Sequence, residues 1–247
     1  MTKPLRLWQW LARAGLGRRQ QLLDLIGSGA VTVDEQVVSP LKLITPDAAV
    51  RLHGQLVTLQ WQPQVVMYHK PIGVDCNIKP NDPCSIAQLL SELPSGLFPV
   101  GRLDKDSCGL LLLCNHGELA QRLMHPTFAH EKQYLVQVTP APTPEQLRAL
   151  AAGPQYNWKN QAIKTRPCLV SPEHTDSFHI TLTEGRYRQI RFMCKAVGLR
   201  VTRLQRIRLQ QLTLGELAEG QWRLLSPAEL AQLTLSVACE TSASSSR

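Results

Sequence analysis

The chain has 247 residues, 43% of them apolar and 19% charged, with a net charge of +8 and a pI near 9.3. This length and composition can build one catalytic domain with a small appended module. A collagen-like, coiled-coil or wholly disordered chain is excluded.

Residues 1–62 are predicted to form a small α/β module. Apolar residues recur at helical spacing from Leu5 to Ala12, and a second helix is predicted from Arg18 to Ile26. Short alternating strands are predicted at Val31–Val33, Val37–Val38, Ala49–Leu52 and Leu56–Leu59. A unit of this size buries little apolar area, so we interpret it as an accessory binding module.

Residues 63–235 are predicted to form a larger α+β domain. Strands are predicted at Val65–Tyr68, Leu110–Cys114, Tyr134–Val138 and Phe178–Leu182, and helices at Ile86–Glu92, Glu118–Met124 and Pro144–Ala152. This order lacks a regular βαβ alternation. It favours a mixed, largely antiparallel sheet flanked by helices over a Rossmann fold. The serine-rich segment 236–247 is predicted to be a disordered tail.

Most of the positive charge is concentrated near the end of this domain. The window from Thr183 to Leu212 carries eight basic residues and one acidic residue. A cluster of this kind is typical of a polyanion-binding surface, because each Lys or Arg that neutralises a phosphate releases condensed counterions. A solvated helix face is the alternative interpretation.

The seven Cys and seven His residues lack the spacing of a metal site. Neither a CxxC nor an HxxxH pair occurs, and an odd number of Cys does not indicate a disulfide framework. We expect reduced thiols, no metal and a cytoplasmic location. The sequence contains neither an apolar run of about 18 residues nor a secretory leader, so we expect no membrane partner.

Phe98–Gly117 carries the most informative charges. Asp104 and Asp106 stand among the cations Arg102 and Lys105, directly before the four-Leu run of a predicted buried strand. Charged groups at the mouth of a buried strand are often catalytic. Position alone leaves four roles open for a carboxylate here: nucleophile, general base, metal ligand or salt-bridge partner.

Two regions of the chain resemble known families. The N-terminal module is similar to the S4 RNA-binding domain. The matching segments are Leu7–Leu11, Ala14–Leu16, Arg18–Arg19, Leu25–Ile26, Gly29 and Val31–Val33. An ordinary helical hairpin is the alternative. The S4 resemblance implies a basic RNA-binding helix edge formed by Arg6, Arg13, Arg18 and Arg19.

The larger domain resembles the pseudouridine synthases of the RsuA type in three motifs. They are Gly101–Gly117 (GRLDKDSCGLLLLCNHG), Glu131–Val138 (EKQYLVQV) and Gly185–Gly198 (GRYRQIRFMCKAVG). This resemblance implies an isomerase that converts uridine to pseudouridine in RNA without a cofactor or metal. Phe192 departs from the pattern, because this position is usually Arg.

The same resemblance implies roles for individual residues. Asp104 aligns with the essential aspartate, Tyr134 with the tyrosine that stacks on the target base, and Arg191 with the basic partner of the aspartate. Arg102 matches the position whose side chain fills the space left by a flipped-out base. Further RNA contacts are expected from Leu103, Lys105, Arg186, Tyr187, Arg188 and Gln189.

Met193–Lys195 resembles the subgroup called ribosomal large-subunit pseudouridine synthase F. That subgroup modifies 23S rRNA and, in some members, the anticodon of tyrosine tRNA. We therefore expect an RNA partner, a 23S rRNA stem-loop with tRNA as a further candidate, and a monomeric enzyme.

Two other functions fit part of the sequence. A haloacid dehalogenase-type phosphatase has a DxDx[ST] loop like Asp104–Ser107, but it needs an apolar strand before the first Asp, whereas here the apolar run follows it. A non-catalytic S4-type RNA-binding protein fits the charge but gives Asp104 and Tyr134 no role.

Overall fold

The computed structural model describes residues 4–17, 19–45, 47–59, 64–94, 96–125 and 130–233. The chain divides into two units: one holds the described residues of Met1–Gln64, Leu90–Phe98 and Cys114–His116, and the other those of Val65–Leu89, Pro99–Leu113 and Gly117–Arg247. The predicted tail, residues 236–247, lies outside the described residues, as does the segment 60–63 that contains the predicted domain boundary.

The N-terminal part of the first unit consists of two helices and short strands. They are α1 (Leu7–Arg13), α2 (Arg19–Gly27), β1 (Leu5–Arg6), β2 (Val31–Val33), β3 (Gln36–Val37), β4 (Leu43–Ile44), β5 (Val50–Leu52) and β6 (Gln55–Leu56). Strands in the order β3-β2-β5-β6 form an antiparallel sheet, and β1 pairs with β4. Each helix buries one apolar face, Leu7 and Leu11 on α1 and Leu22 and Ile26 on α2, in a common core with the sheet. The two predicted helices are therefore confirmed.

The remaining elements follow along the chain. The helices are α3 (Ala87–Glu92), α4 (Gly117–Met124), α5 (Pro144–Ala151) and α6 (Gln189–Ala196). The strands are β7 (Val65–Lys70), β8 (Phe98–Val100), β9 (Cys108–Cys114), β10 (Lys132–Thr139), β11 (Gln155–Trp158), β12 (Gln161–Lys164), β13 (Leu169–His174), β14 (Ser177–Leu182), β15 (Arg200–Leu209), β16 (Leu212–Thr213) and β17 (Trp222–Leu224). Within the described ranges, no helix has the length and apolar character needed to cross a bilayer.

A mixed sheet dominates this part of the molecule. Its strand order is β13-β14-β10-β15-β9-β7-β17, with β16 added to β15 and β8 to β9. β10 pairs antiparallel with β14 and β15, whereas β15 and β9 run parallel. Every residue of β7 and β9 is buried, as expected for continuous apolar strands inside a layered fold. The predicted α+β class, with a mixed sheet and flanking helices, is confirmed.

Strand pairing places three positions in one row across the sheet. Arg206 on β15 pairs with Tyr134 on β10 and with Gly109 on β9. Gly109 has a φ of +105°, and a Cβ there would lie 2.3 Å from the carbonyl oxygen of Arg206, so the close approach of β15 to β9 requires glycine. Because neighbouring strands are about 4.8 Å apart, this row brings Tyr134 close to the strand that follows Asp104.

The basic window 183–212 folds into α6 and β15, neither of which was predicted. Three of the four arginines on β15 are buried or paired within the protein. Arg203 pairs with Glu219 at 2.7 Å, Arg208 pairs with Glu131 at 3.0 Å, and Arg206 is 4% exposed. The charge cluster is thus not one continuous RNA-binding surface, because part of it is neutralised or buried.

Candidate active site

A cavity of about 850 Å³ opens in the second unit. Its lining comes from the loop between β8 and β9, from β10, from β15 and from the segment that leads into α6. The lining residues that bear on chemistry are Arg102, Asp104, Tyr134, Tyr187, Arg188 and Arg206. Two of the three residues that the sequence placed in catalysis, Asp104 and Tyr134, therefore border the same space.

Asp104 lies in the tight turn before β9. The turn is closed by a hydrogen bond from the Ser107 amide to the Asp104 carbonyl oxygen at 3.0 Å, and the Gly73 amide donates to the Lys105 carbonyl oxygen at 2.8 Å. The Asp104 side chain is 30% exposed, and its Oδ2 lies 4.0 Å from the guanidinium of Arg188. Burial raises the pKa of Asp104 above its usual range, although the positive charge of Arg188 works in the opposite direction.

Asp106, two residues later, is held far more firmly. Arg188 donates two hydrogen bonds to its carboxylate, at 2.9 and 2.7 Å. Arg191 places Nε 3.3 Å from the same carboxylate and donates from Nη2 to the Asp106 carbonyl oxygen at 2.7 Å. Burial alone would raise the pKa of Asp106, but the hydrogen bonds from Arg188 and the charge of Arg191 hold it below its usual range.

These contacts correct the predicted partner of Asp104. Arg191 was expected to pair with Asp104, but its ion pair is with Asp106, and Arg188 is the arginine within 4.0 Å of Asp104. Arg188 has a φ of 49°, a left-handed conformation that residues other than glycine adopt rarely. The two-pronged ion pair with Asp106 accounts for the stability of this strained conformation.

Tyr134 reaches the cavity from the middle of the sheet. It lies on β10 between Ile180 of β14 and Arg206 of β15, and its ring is partly buried against the core. A half-buried ring on a central strand is held in place by its neighbours. Its position is therefore fixed before any ligand enters the cavity.

The predicted RNA contacts around Asp104 differ in accessibility. The Arg102 side chain is 65% exposed and lies 3.7 Å from the carboxylate of Asp75. Lys105 is also exposed. Leu103 borders the cavity but is only 6% exposed, and the Cys76 thiol donates to its carbonyl oxygen at 3.3 Å.

The predicted contacts before α6 differ in the same way. Tyr187 is 62% exposed, and Arg186 pairs with Glu184 at 3.3 Å. Gln189 is 3% exposed, donates to Glu184 at 2.6 Å and accepts from the Arg186 amide at 3.1 Å. Gln189 borders the cavity, but its amide is buried and its hydrogen bonds brace the loop.

The predicted basic edge of the N-terminal module is only partly described. Arg6 and Arg19 are exposed, and Arg13 is half-buried. The Arg19 guanidinium lies 5.0 Å from the centre of the Trp8 ring. Arg18 lies outside the described residues.

Sequence reasoning missed Lys70, which is completely buried at the end of β7. Its Nζ donates to the carbonyl oxygens of Pro71 at 2.9 Å and Val74 at 2.8 Å. Burial lowers the pKa of Lys70, while nearby groups that include Asp104 and Asp106 favour the charged form. Lys70 thus braces the loop whose Gly73 amide is hydrogen-bonded to the Asp104 turn. The sequence signal that could have identified Lys70 is its position at the end of a mainly apolar predicted strand.

Arg206 and Lys132 also border the cavity without having been predicted. The Arg206 Nε donates to the Leu110 carbonyl oxygen at 2.7 Å, and its Nη2 has no hydrogen-bond partner among the described residues. The Lys132 Nζ donates to the His130 carbonyl oxygen at 2.9 Å, and burial lowers the pKa of Lys132. The cavity therefore has one buried donor, Arg206, and one half-buried donor, Lys132, on β15 and β10.

One group of possible metal ligands occurs within the described ranges. His69, Cys108 and Glu219 place donor atoms within 4.8 Å of one another. The His69 Nδ1 is hydrogen-bonded to the Leu217 carbonyl oxygen at 2.7 Å, and Glu219 is paired with Arg203. These donors serve the protein itself.

Comparisons with known proteins agree with this chemistry. Residues 64–196 match the family described as RNA pseudouridylate synthase. Ribosomal large subunit pseudouridine synthase B of Escherichia coli (strain K12) is 35% identical over 235 residues, 91% of this chain and 80% of that protein. Dual-specificity RNA pseudouridine synthase RluF of the same strain is 32% identical over 231 residues, 93% of this chain and 78% of that protein. A crystal structure of pseudouridylate synthase, 29% identical, superposes with a TM-score of 0.65 over 93% of this chain and 99% of that one.

The protein is an RNA-modifying isomerase in which a carboxylate and a tyrosine face one cavity. The chain belongs to the RNA pseudouridylate synthase family. The RsuA-type resemblance is confirmed, and the relatives of the B and F subgroups match to a similar degree. The phosphatase alternative is wrong: the buried strand β9 follows Asp104, and the relatives are isomerases.

Proposed function

We propose that the chain isomerises a uridine in a stem-loop of 23S ribosomal RNA, with Asp104 as the catalytic carboxylate. The observation that carries the proposal is the cavity that Asp104, Tyr134 and Arg188 share in a chain of this family. A relative named for the large ribosomal subunit supports the ribosomal substrate. The anticodon of tyrosine tRNA is the second substrate of the proposal, and the relative named as a dual-specificity RNA pseudouridine synthase supports a second RNA.

The reaction breaks the N1–C1′ bond of uridine and joins C5 to C1′, while C5 loses a proton and N1 gains one. Asp104 acts on the ribose. Either attack at C1′ or removal of a sugar proton requires its ionised form, which the guanidinium of Arg188 favours at 4.0 Å. Partial burial also strengthens the attraction between this carboxylate and a cationic sugar.

Tyr134 receives the base. Its ring supplies a face for stacking, worth about 1–3 kcal/mol per base in comparable sites. Its hydroxyl supplies a group that can take part in moving the C5 proton. Arg191 acts as a positioning residue, because it holds Asp106, which in turn orients Arg188 beside Asp104.

The target nucleotide must leave its stack to reach Asp104. A cavity of about 850 Å³ is large enough for one nucleotide. The exposed guanidinium of Arg102 stands at its edge, where it can fill the space that the base leaves in the RNA. Lys105 supplies a second exposed cation on the same loop for the phosphates.

The domain assignments complete the proposal. Residues 1–62 act as an S4-like RNA-binding module, with Arg6, Arg13, Arg18 and Arg19 toward the phosphates, and residues 63–235 carry the catalysis. The enzyme acts as a monomer and without a cofactor. A ribosomal RNA substrate places the activity in the cytoplasm.

The test is to incubate the purified protein with a 23S rRNA transcript from its own organism and with the matching tyrosine tRNA. Carbodiimide treatment and primer extension then map pseudouridine. We expect one modified uridine in the 23S transcript with the wild type and none with Asp104→Asn. Modification of the tRNA alone would overturn the ribosomal substrate, and a Asp104→Asn variant that still modifies RNA would overturn the role of Asp104.

A further inference from the structure

The exposed ring of Tyr187 at the rim of the cavity packs against the half-buried ring of Trp158, and the proposed reaction assigns no step to either ring. The rings of Trp158 and Tyr187 have centroids 5.7 Å apart and planes tilted by 40°. Tyr187 borders the cavity and is 62% exposed. An exposed aromatic ring next to an RNA-modifying site offers a surface on which an unpaired base can stack.

The β-hairpin that carries Trp158 is built to present it. β11 and β12 pair from Gln155 with Lys164 to Trp158 with Gln161, and the two-residue turn Lys159–Asn160 has φ values of 50° and 62°. Positive φ at both positions is the geometry of a tight hairpin turn. Trp158 therefore occupies the last pair before the turn, where its position is well defined.

Phe192 fixes this hairpin to α6. Its ring stacks on that of Tyr156, with centroids 5.2 Å apart and planes 16° apart. Tyr156 and Trp158 are two residues apart on β11 and so share one face of the hairpin. Phe192 stands where the family motif usually has Arg. Its ring supplies an aromatic contact in place of a cation, and this contact holds the hairpin that places Trp158 beside Tyr187.

The charges around the pair indicate its ligand. The Lys159 Nζ lies 4.8 Å from the centre of the Trp158 ring, and Arg166 and Arg186 border the same cavity as Tyr187. Lys159 and Arg166 are exposed and, among the described residues, neither forms an ion pair. An exposed ring among cations is the arrangement that binds an unpaired base and its phosphates.

We propose that Tyr187 is a stacking platform for an unpaired nucleobase next to the target uridine, and that Trp158 is the residue that positions its ring. This inference rests on the proposed RNA substrate and adds a second base-binding site to it. Trp158 restricts the Tyr187 ring before RNA arrives, so less side-chain freedom is lost on binding. Arg166 and Lys159, which form no ion pair among the described residues, attract the phosphates on either side of the stacked base.

The test compares variants that keep or remove the ring. The probe is the RNA stem-loop that contains the uridine mapped with the wild type. We expect Tyr187→Ala to raise KM about 5- to 100-fold, with kcat within about threefold, because a neighbouring base is bound equally in the ground state and the transition state. Tyr187→Phe keeps KM within about twofold of the wild type, since stacking needs only the ring. We expect Trp158→Ala to raise KM by a smaller factor than Tyr187→Ala, and Trp158→Phe to keep KM close to the wild-type value. The control is Trp222→Ala, which removes an exposed aromatic side chain outside the cavity lining and leaves KM unchanged.

A second measurement separates stacking from charge and from folding. In the inactive Asp104→Asn background, an abasic ribose is placed at each position flanking the target, and RNA dissociation constants are measured at several salt concentrations. We expect one abasic position to weaken binding about tenfold in this background and to cause no further loss when Tyr187→Ala is added. The salt dependence of binding keeps its slope in Tyr187→Ala.

The outcomes are distinguishable. If the wild type forms no pseudouridine in the RNA, the proposed function fails. If the wild type is active and Tyr187→Ala has a normal KM, or if abasic and Tyr187→Ala losses add at every position, the platform alone is overturned.

Discussion

Asp104 and Asp106 lie two residues apart in one turn, yet the structure gives them opposite environments. The Asp106 carboxylate is gripped by Arg188 and Arg191, and its pKa is held below the usual range. The Asp104 carboxylate has one cation at 4.0 Å, and burial raises its pKa above the usual range. The first arrangement fixes structure, and the second keeps a carboxylate reactive.

The difference shows how one pair of arginines serves two carboxylates. Arg188 and Arg191 donate hydrogen bonds to Asp106. The positive charge of Arg188 therefore acts on Asp104 without a short hydrogen bond between them. A carboxylate that is free of such bonds keeps its lone pairs for a substrate. Environments that push two neighbouring pKa values apart are typical of catalytic sites.

The largest expected effect is that of Asp104→Asn. We expect kcat/KM for pseudouridine formation to fall by at least about 10⁴-fold, as for the loss of other catalytic groups. Burial disfavours the ionised carboxylate, so the neutral amide should leave the free energy of unfolding at neutral pH unchanged or higher. Rate assays and urea denaturation check both parts. A stability loss that matched the activity loss would show that Asp104 is structural.

Asp106→Asn should lower both kcat/KM and the free energy of unfolding, each to an intermediate degree. We expect a loss of about 1–3 kcal/mol in the free energy of unfolding, the usual contribution of hydrogen bonds to charged groups, and about a 100-fold lower kcat/KM because Arg188 loses its anchor. The lowered pKa means that this stabilisation is present at neutral pH and is lost as the pH falls through the pKa of the folded state. Urea denaturation at neutral and acidic pH measures it. An equal stability difference at both pH values would contradict the ion-pair explanation.

The smallest effect is on the pH dependence of kcat/KM. Activity requires ionised Asp104, so the acid limb should lie at a higher pH than for an aspartate with an ordinary pKa. Arg188→Gln removes a favourable charge and should move the limb to still higher pH, whereas Asp106→Asn removes a negative neighbour and should move it to lower pH. Shifts of both variants in the same direction would rule out this electrostatic coupling.

Much of the architecture was predictable from local pattern. The four-Leu run was identified as a buried strand, and the strands that became β7, β10 and β14 and the helices that became α4 and α5 lie where periodicity placed them. These elements carry continuous apolar runs or clear helical spacing, so the local signal agrees with the tertiary fold. The fold class followed from their order along the chain.

Two of the missed elements, β15 and α6, are ones in which charged and polar residues obscure the pattern. β15 carries four arginines in ten residues, and its apolar alternation is hidden because Arg206 is buried and Arg203 and Arg208 are paired with distant carboxylates. α6 opens with Gln189, whose burial depends on a hydrogen bond to Glu184. No local rule gives a partner five or more residues away.

The sequence by itself determined the class of enzyme, because motifs such as Gly101–Gly117, which holds Asp104 and the buried strand after it, resemble those of the family in one continuous segment. Only the tertiary structure decided which arginine serves which carboxylate. Asp106 and Arg188 are 82 positions apart and meet at 2.7 Å through the packing of the sheet against α6. The strength of an ion pair between distant segments depends on the distance between the charges and on their burial, and the order of residues along the chain specifies neither directly.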